Sequence, residues 1–172
     1  MSRLIVSLER ASEHTGTCGG KAAALARLIG AGLRVPGGFC VTSACYDRFL
    51  ERTGLRGKIA LEIGRKRLED MRWEEMWDCP LLIRNMFLQA EIPGDITRSL
   101  IEAARAGTAG APLAVRSASL AEDGSGNSFA GLHESYLNVR GEKELLDKIR
   151  LVWSSLWSDA ALSYSRELSL DA

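Results

Sequence analysis

Two cationic residues stand where a polypeptide can hold an anion. Lys21 is preceded by Gly19 and Gly20 and followed by the apolar run AAALARLIGAG. Glycines let a backbone come close to a ligand, the first N–H groups of a helix point outward, and the helix dipole favours negative charge there. The spacing is not that of a Walker A loop: Gly16 to Gly20 is one residue too short, and Ala22 stands where Ser or Thr would hold magnesium. A glycine turn beside a solvated lysine is the other reading of these residues.

The second cation, Arg116, closes the apolar run Leu113-Ala114-Val115 and opens a loop rich in Ser, Gly and Asn. A guanidinium at the end of a buried strand offers phosphate oxygens a rigid fork. An ion pair with Glu122 or Asp123 would use it equally well. The loop itself, Gly124 to Gly131, contains Ser128, Phe129 and Ala130. Its small residues can fold backbone amides over a polyphosphate while Phe129 anchors the loop or shields the ligand. Glu122 and Asp123 do not suit direct phosphate contact; they can pair with Arg116 or Lys21, reach a metal ion, or cap a turn. No catalytic residue is assignable, because His14 and His133 have no recognisable nucleophile or acid partner. Cys18, Cys40, Cys45 and Cys79 form no C-x-x-C pair, so free thiols and no metal-ligand set are expected.

The elements that must position these groups follow from periodicity. Residues 3 to 8 read as a strand followed by a polar loop through Gly19 and Gly20. From Lys21 a helix places Ala22, Leu25, Ala26 and Ile29 on one face, with Gly30 or Gly32 to end it. Phe39 to Thr42 reads as a short buried strand, and Ser43 as the N-cap of a helix turning Tyr46, Phe49 and Leu50 inward. About 55–107 is a charged helical insert with Ile59, Ile63, Ile83, Met86, Phe87, Ala90, Ile96, Leu100, Ile101 and Ala104 at helical intervals. Leu113–Arg116 and Tyr136–Val139 form a hairpin with a long tip, which is uncommon unless the tip binds something or acts as a lid. A helix after Gly141 aligns Leu145, Leu146, Ile149, Val152, Trp153, Leu156 and Trp157, and the tryptophan stripe is read as core. A further helix is expected from about Asp159, carrying Leu162, Tyr164 and Leu168.

Composition narrows the class. The chain has 172 residues, 46% hydrophobic and 26% charged, with 22 Lys plus Arg against 22 Asp plus Glu. One domain with a substantial core is expected over residues 1–172, of mixed α/β (α+β) class, a small sheet packed with several helices. A zero net charge provides no general attraction to nucleic acid or an anionic membrane, so any anion must be held locally. No stretch approaches the length of a spanning helix or a signal peptide, and a soluble, cytoplasmic protein is expected.

Residues 19–50, GGKAAALARLIGAGLRVPGGFCVTSACYDRFL, and 113–167, LAVRSASLAEDGSGNSFAGLHESYLNVRGEKELLDKIRLVWSSLWSDAALSYSRE, resemble the N-terminal nucleotide-binding region of phosphoenolpyruvate synthase and pyruvate phosphate dikinase. The two blocks cover about half the chain in the family's order, and residues 51–112 match only as a variable helical stretch. The resemblance implies the first lobe of an ATP-grasp-like domain, in which ATP lies between two lobes and gives phosphate to a histidine on a swivelling domain. That phosphate then passes to pyruvate on a separate barrel. It also implies that Lys21 and Arg116 contact ATP phosphates and that Ser128, Ala130 and Gly131 lie on the covering loop. Gly19 and Gly20 support the site, and Glu122 with Asp123 match the loop's acidic dipeptide. Ala118 replaces a serine and Leu132 a glutamine common in the family. The adenine hinge, the Mg2+ ligands, the phosphohistidine and the pyruvate-binding domain have no counterpart here, and neither His14 nor His133 lies in a carrier-histidine context.

The expected function is thus the ATP-binding part of a phosphotransferase converting ATP, pyruvate and water to AMP, phosphoenolpyruvate and phosphate, inactive as the lone chain. Two alternatives remain: a relative with another acceptor, such as an antibiotic or a glucan, and a stand-alone binding or regulatory module without catalysis.

Overall fold

The chain opens on a β-branched pair that a short strand suits. Ile5–Ser7 form β1, antiparallel to β2, Phe39–Val41, with Val6 opposite Cys40. The structure, a computed structural model, describes residues 3–66, 70–108, 110–118 and 135–157. Between the strands the expected polar loop is instead helical. A 3-10 stretch over Leu8–His14 runs into α1, Thr15–Gly30. Leu8 and Ala11 are buried, which gives this otherwise polar segment a face to fold upon. Gly32, at φ 78°, ends α1, and the Leu33 N–H donates to the Leu28 carbonyl at 3.1 Å.

Helix α2, Ser43–Arg52, is capped by Thr42, one residue before the expected Ser43. The Thr42 hydroxyl accepts from the Cys45 N–H at 3.3 Å and donates to the Arg3 carbonyl at 2.8 Å. One buried side chain thereby caps a helix and holds the strand beside it. The helical insert resolves into α3, Leu55–Gly64, α4, Trp73–Gln89, and α5, Gly94–Thr108. Arg150 donates to the Leu88 and Ala90 carbonyls, 3.0 Å each, and so closes the C-terminal end of α4 against α6, Gly141–Ser155.

The expected hairpin consists of β3, Leu113–Arg116, and β4, Ser135–Val139. It is a separate ribbon, not part of one small sheet: the described strands form two two-stranded antiparallel sheets. Each ribbon buries one face against helices, which is what lets a pair of strands persist. The helix expected from about Asp159 lies outside the described residues.

Two apolar clusters result. The larger joins α2 to α6 through Phe49, Leu55, Ile83, Phe87, Ile96, Leu100 and Trp153, with Val139 from β4. Phe49 and Trp153 have ring centroids 4.8 Å apart, and the Trp157 indole donates to the Tyr46 hydroxyl at 2.9 Å, so the tryptophan stripe is core. The smaller cluster lies behind α1 and consists of Val6, Leu8, Ala11, Cys18, Ala22, Ala26 and Cys40. Among the described residues no helix is long and apolar enough to cross a membrane.

Candidate functional site

The small cluster explains where the first cation sits. Ala22, Ala23 and Ala26 bury one side of α1 with almost no side-chain bulk, so the helix lies close on the β1–β2 ribbon and leaves Lys21 exposed on its other side. Cys18 and Cys40 face each other across this packing, the Cys40 thiol donating to the Cys18 carbonyl at 3.3 Å. Burial, with Cys18 beside it, pushes the Cys40 thiol well above its ordinary range, and burial raises that of Cys45 to about 12. All four cysteines are buried free thiols. They pack as small apolar groups rather than acting as nucleophiles.

Gly19 interrupts α1 with φ 76° and ψ 163°, and the helix resumes after it. That backbone region is essentially closed to residues with a side chain. A Cβ at this position would also stand 2.5 Å from the Ala118 carbonyl oxygen and 3.2 Å from its carbon. The main chain at this kink of α1 therefore meets the main chain leaving β3, with no side chain of residue 19 between. Ala118 is two residues past Arg116, which lies exposed at the end of β3, while Ser117 between them is buried.

The structure thus brings together the two chain segments that carry Lys21 and Arg116, with Gly19 and Gly20 at the join. Ser128, Ala130, Gly131, Glu122 and Asp123 lie outside the described residues, as do Phe129 and His133. His14 is placed at the junction before α1, where its carbonyl accepts from the Thr17 hydroxyl at 3.2 Å. Among the described residues no group of three or more His, Cys, Asp or Glu is arranged to hold a metal ion. A hollow of about 460 Å³ lies among α2, α3 and the α4–α5 connection, lined by Arg52, Lys58, Met86, Glu91 and Pro93; it contains none of the expected site residues.

Sequence reasoning found the glycines and both cations but not their meeting point. The only signal for it was a glycine ahead of the helix where a capping Ser or Asp would ordinarily serve. It also missed the extra residue in β4: Val115 pairs with Tyr136 but Leu113 with Val139, and Asn138 between them has φ 57°.

Comparison with known proteins bears on this geometry. A family model described as pyruvate phosphate dikinase, AMP/ATP-binding domain, matches residues 15–172, a span that includes Gly19, Lys21, Arg116 and the loop between β3 and β4. The phosphoenolpyruvate synthase of Aeropyrum pernix is 40% identical over 175 residues, covering 98% of this chain and 21% of that protein. Prodigiosin synthesizing transferase PigC of Serratia marcescens is 40% identical over 148 residues, covering 86% of this chain and 15% of that protein. Rifampicin phosphotransferase of Bacillus subtilis is 29% identical over 173 residues, covering 99% of this chain and 20% of that protein. The chain spans about a fifth or less of the length of these curated relatives. With the match running through both cation-bearing segments, the chain belongs to the pyruvate phosphate dikinase AMP/ATP-binding domain family.

Proposed function

We propose that residues 1–172 form one domain, the first lobe of an ATP-grasp-like unit, and that it holds the phosphates of ATP for a phosphoenolpyruvate synthase-like phosphotransferase. The observation that carries this reading is the approach of Gly19 to Ala118, which puts the N-terminal end of a helix and a strand-end guanidinium on adjoining main chain. Lys21 serves as a mobile point charge and Arg116 as a planar fork, the two complementary ways of meeting phosphate oxygens. Ser128, Ala130 and Gly131 belong to the covering loop, and Gly20 supplies helix N–H groups. Glu122 and Asp123 support the loop.

The reaction of the complete protein would then convert ATP, pyruvate and water to AMP, phosphoenolpyruvate and phosphate in the cytoplasm. Phosphoryl transfer depends on positioning and on metal ions that neutralise developing charge. The Mg2+ ligands, the histidine that carries phosphate and the pyruvate-binding domain are assigned to other parts of a longer protein. The lone chain accordingly transfers no phosphate. A second reading keeps the same nucleotide site and changes the acceptor; the match to rifampicin phosphotransferase over nearly the whole chain favours it, because acceptor choice would lie outside this lobe.

The test is ATP binding to the purified chain and to Lys21→Ala and Arg116→Ala. Each substitution removes a charge-assisted contact of about 1.5–3 kcal/mol, roughly ten- to a hundredfold in affinity. Unchanged binding in both variants would place the phosphates elsewhere, and phosphoryl transfer from ATP by the chain alone would refute its expected inactivity.

A further inference from the structure

The hollow among α2, α3 and the α4–α5 connection has a polar side and an apolar side. Gly54, at φ 69°, turns the chain sharply from α2 into α3, so the last turn of one helix adjoins the first turn of the next. The end of α4 supplies the facing wall. Leu55, 2% exposed, together with half-buried Met86, Ala90 and Pro93, makes the apolar side. A volume of about 460 Å³ is enough for a small organic molecule.

The polar side carries Arg52, Lys58 and Glu91, all exposed. Neighbouring cations are already paired: Arg48, one turn before Arg52, meets Asp95 at 2.6 Å, and Arg56 meets Asp47 at 2.6 Å. Among the described residues no ion pair engages Arg52 or Lys58. Two cations against one carboxylate leave the hollow a single positive charge. A ligand with one negative charge balances it, whereas a second negative charge would meet Glu91. Arg52 offers a planar fork that matches the two oxygens of a carboxylate, and Lys58 a point charge on the same wall. The structure assigns this hollow to a small monocarboxylate whose short apolar body lies against Leu55, Met86 and Pro93. None of the residues expected to hold nucleotide lines it, so this site stands or falls separately from the nucleotide reading.

The test titrates the full chain with acetate, hexanoate, adipate and inorganic phosphate at constant ionic strength, following backbone amide resonances. Hexanoate should give saturable shifts at the residues lining the hollow and bind about tenfold tighter than acetate, a factor that roughly two buried methylenes supply. Adipate, of the same length but with a second carboxylate, should bind more weakly than hexanoate, and Glu91→Gln should narrow that gap. Arg52→Ala and Lys58→Ala, both at exposed positions, should each weaken hexanoate about three- to fivefold. Hexanoate no tighter than acetate or phosphate, adipate equal to hexanoate, unchanged affinity in both alanine variants, or shifts confined to another surface would each overturn the inference.

Discussion

The two apolar clusters differ in what their side chains allow. In the larger, Phe49, Phe87, Ile83, Leu100 and Trp153 fill the space between helices with bulk. In the smaller, Ala11, Ala22, Ala26, Cys18 and Cys40 let main chains approach instead. Bulk removes apolar area from water and so supplies stability. Smallness supplies little of that but fixes where backbone groups sit. The first cluster supports the molecule, and the second sets the geometry of the candidate site.

Three changes would break or sharpen this contrast. Phe87→Ala empties a position with no solvent exposure in the larger cluster and should cost about 3–5 kcal/mol, read as a lowered Tm and denaturation midpoint. Below its new Tm the variant should still bind ATP, and loss of ATP binding in a folded Phe87→Ala chain would show the clusters to be one unit. Gly19→Ala should cost less stability, about 1–3 kcal/mol from the forbidden backbone region. Its larger consequence is displacement of Ala118, so ATP affinity should fall by more than in Phe87→Ala at the same fraction folded. Equal ATP affinity in Gly19→Ala and the unaltered chain would remove the geometric role assigned to the small cluster.

The smallest effect concerns a link between helices at the surface of the larger cluster. Glu75 accepts from the Lys66 ammonium at 2.6 Å and the Arg72 N–H at 2.7 Å. The hydrogen bond from Lys66, followed by that from Arg72, holds its carboxyl at about 2, below its ordinary 4.5. A carboxyl lowered in the folded state contributes stability that is complete above about pH 4.5 and declines as pH falls toward 2. Melting curves between pH 6 and pH 2 should therefore drop more steeply for the unaltered chain than for Glu75→Gln. Parallel curves would show the link to be without energetic weight, as exposed ion pairs often are.

How much of this was legible in the sequence depended on whether local chemistry settled it. Helices α2 and α6 show their inward residues plainly, since Phe49, Leu50, Leu145, Ile149 and Trp153 recur at helical spacing and are buried. The helical run from Lys21 was legible for the same reason that makes it a candidate site, two glycines and a lysine ahead of an alanine run, although α1 begins earlier, at Thr15. The turns over Leu8–Cys18 were not, because only Leu8, Ala11 and Cys18 are buried there and their partners come from β2 and α1. The β3–β4 hairpin was legible, but its separation from β1–β2 was not, since whether two ribbons join is decided by contacts distant in sequence. Helix α4 runs through Pro80, where local rules predict a break, and tertiary packing of Ile83 and Phe87 holds it together. The Gly19–Ala118 approach left only the bare glycine as a trace in the sequence, and nothing local names Ala118 as its partner.

That approach leaves no rotamer free to take up error. Where two parts of a protein touch through side chains, small displacements are absorbed by torsions at the surface of contact. Here backbone bears on backbone, so the spacing between the kink of α1 and the exit of β3 leaves no room for a Cβ at position 19. A side chain at position 19 would have to move a peptide group, not a torsion.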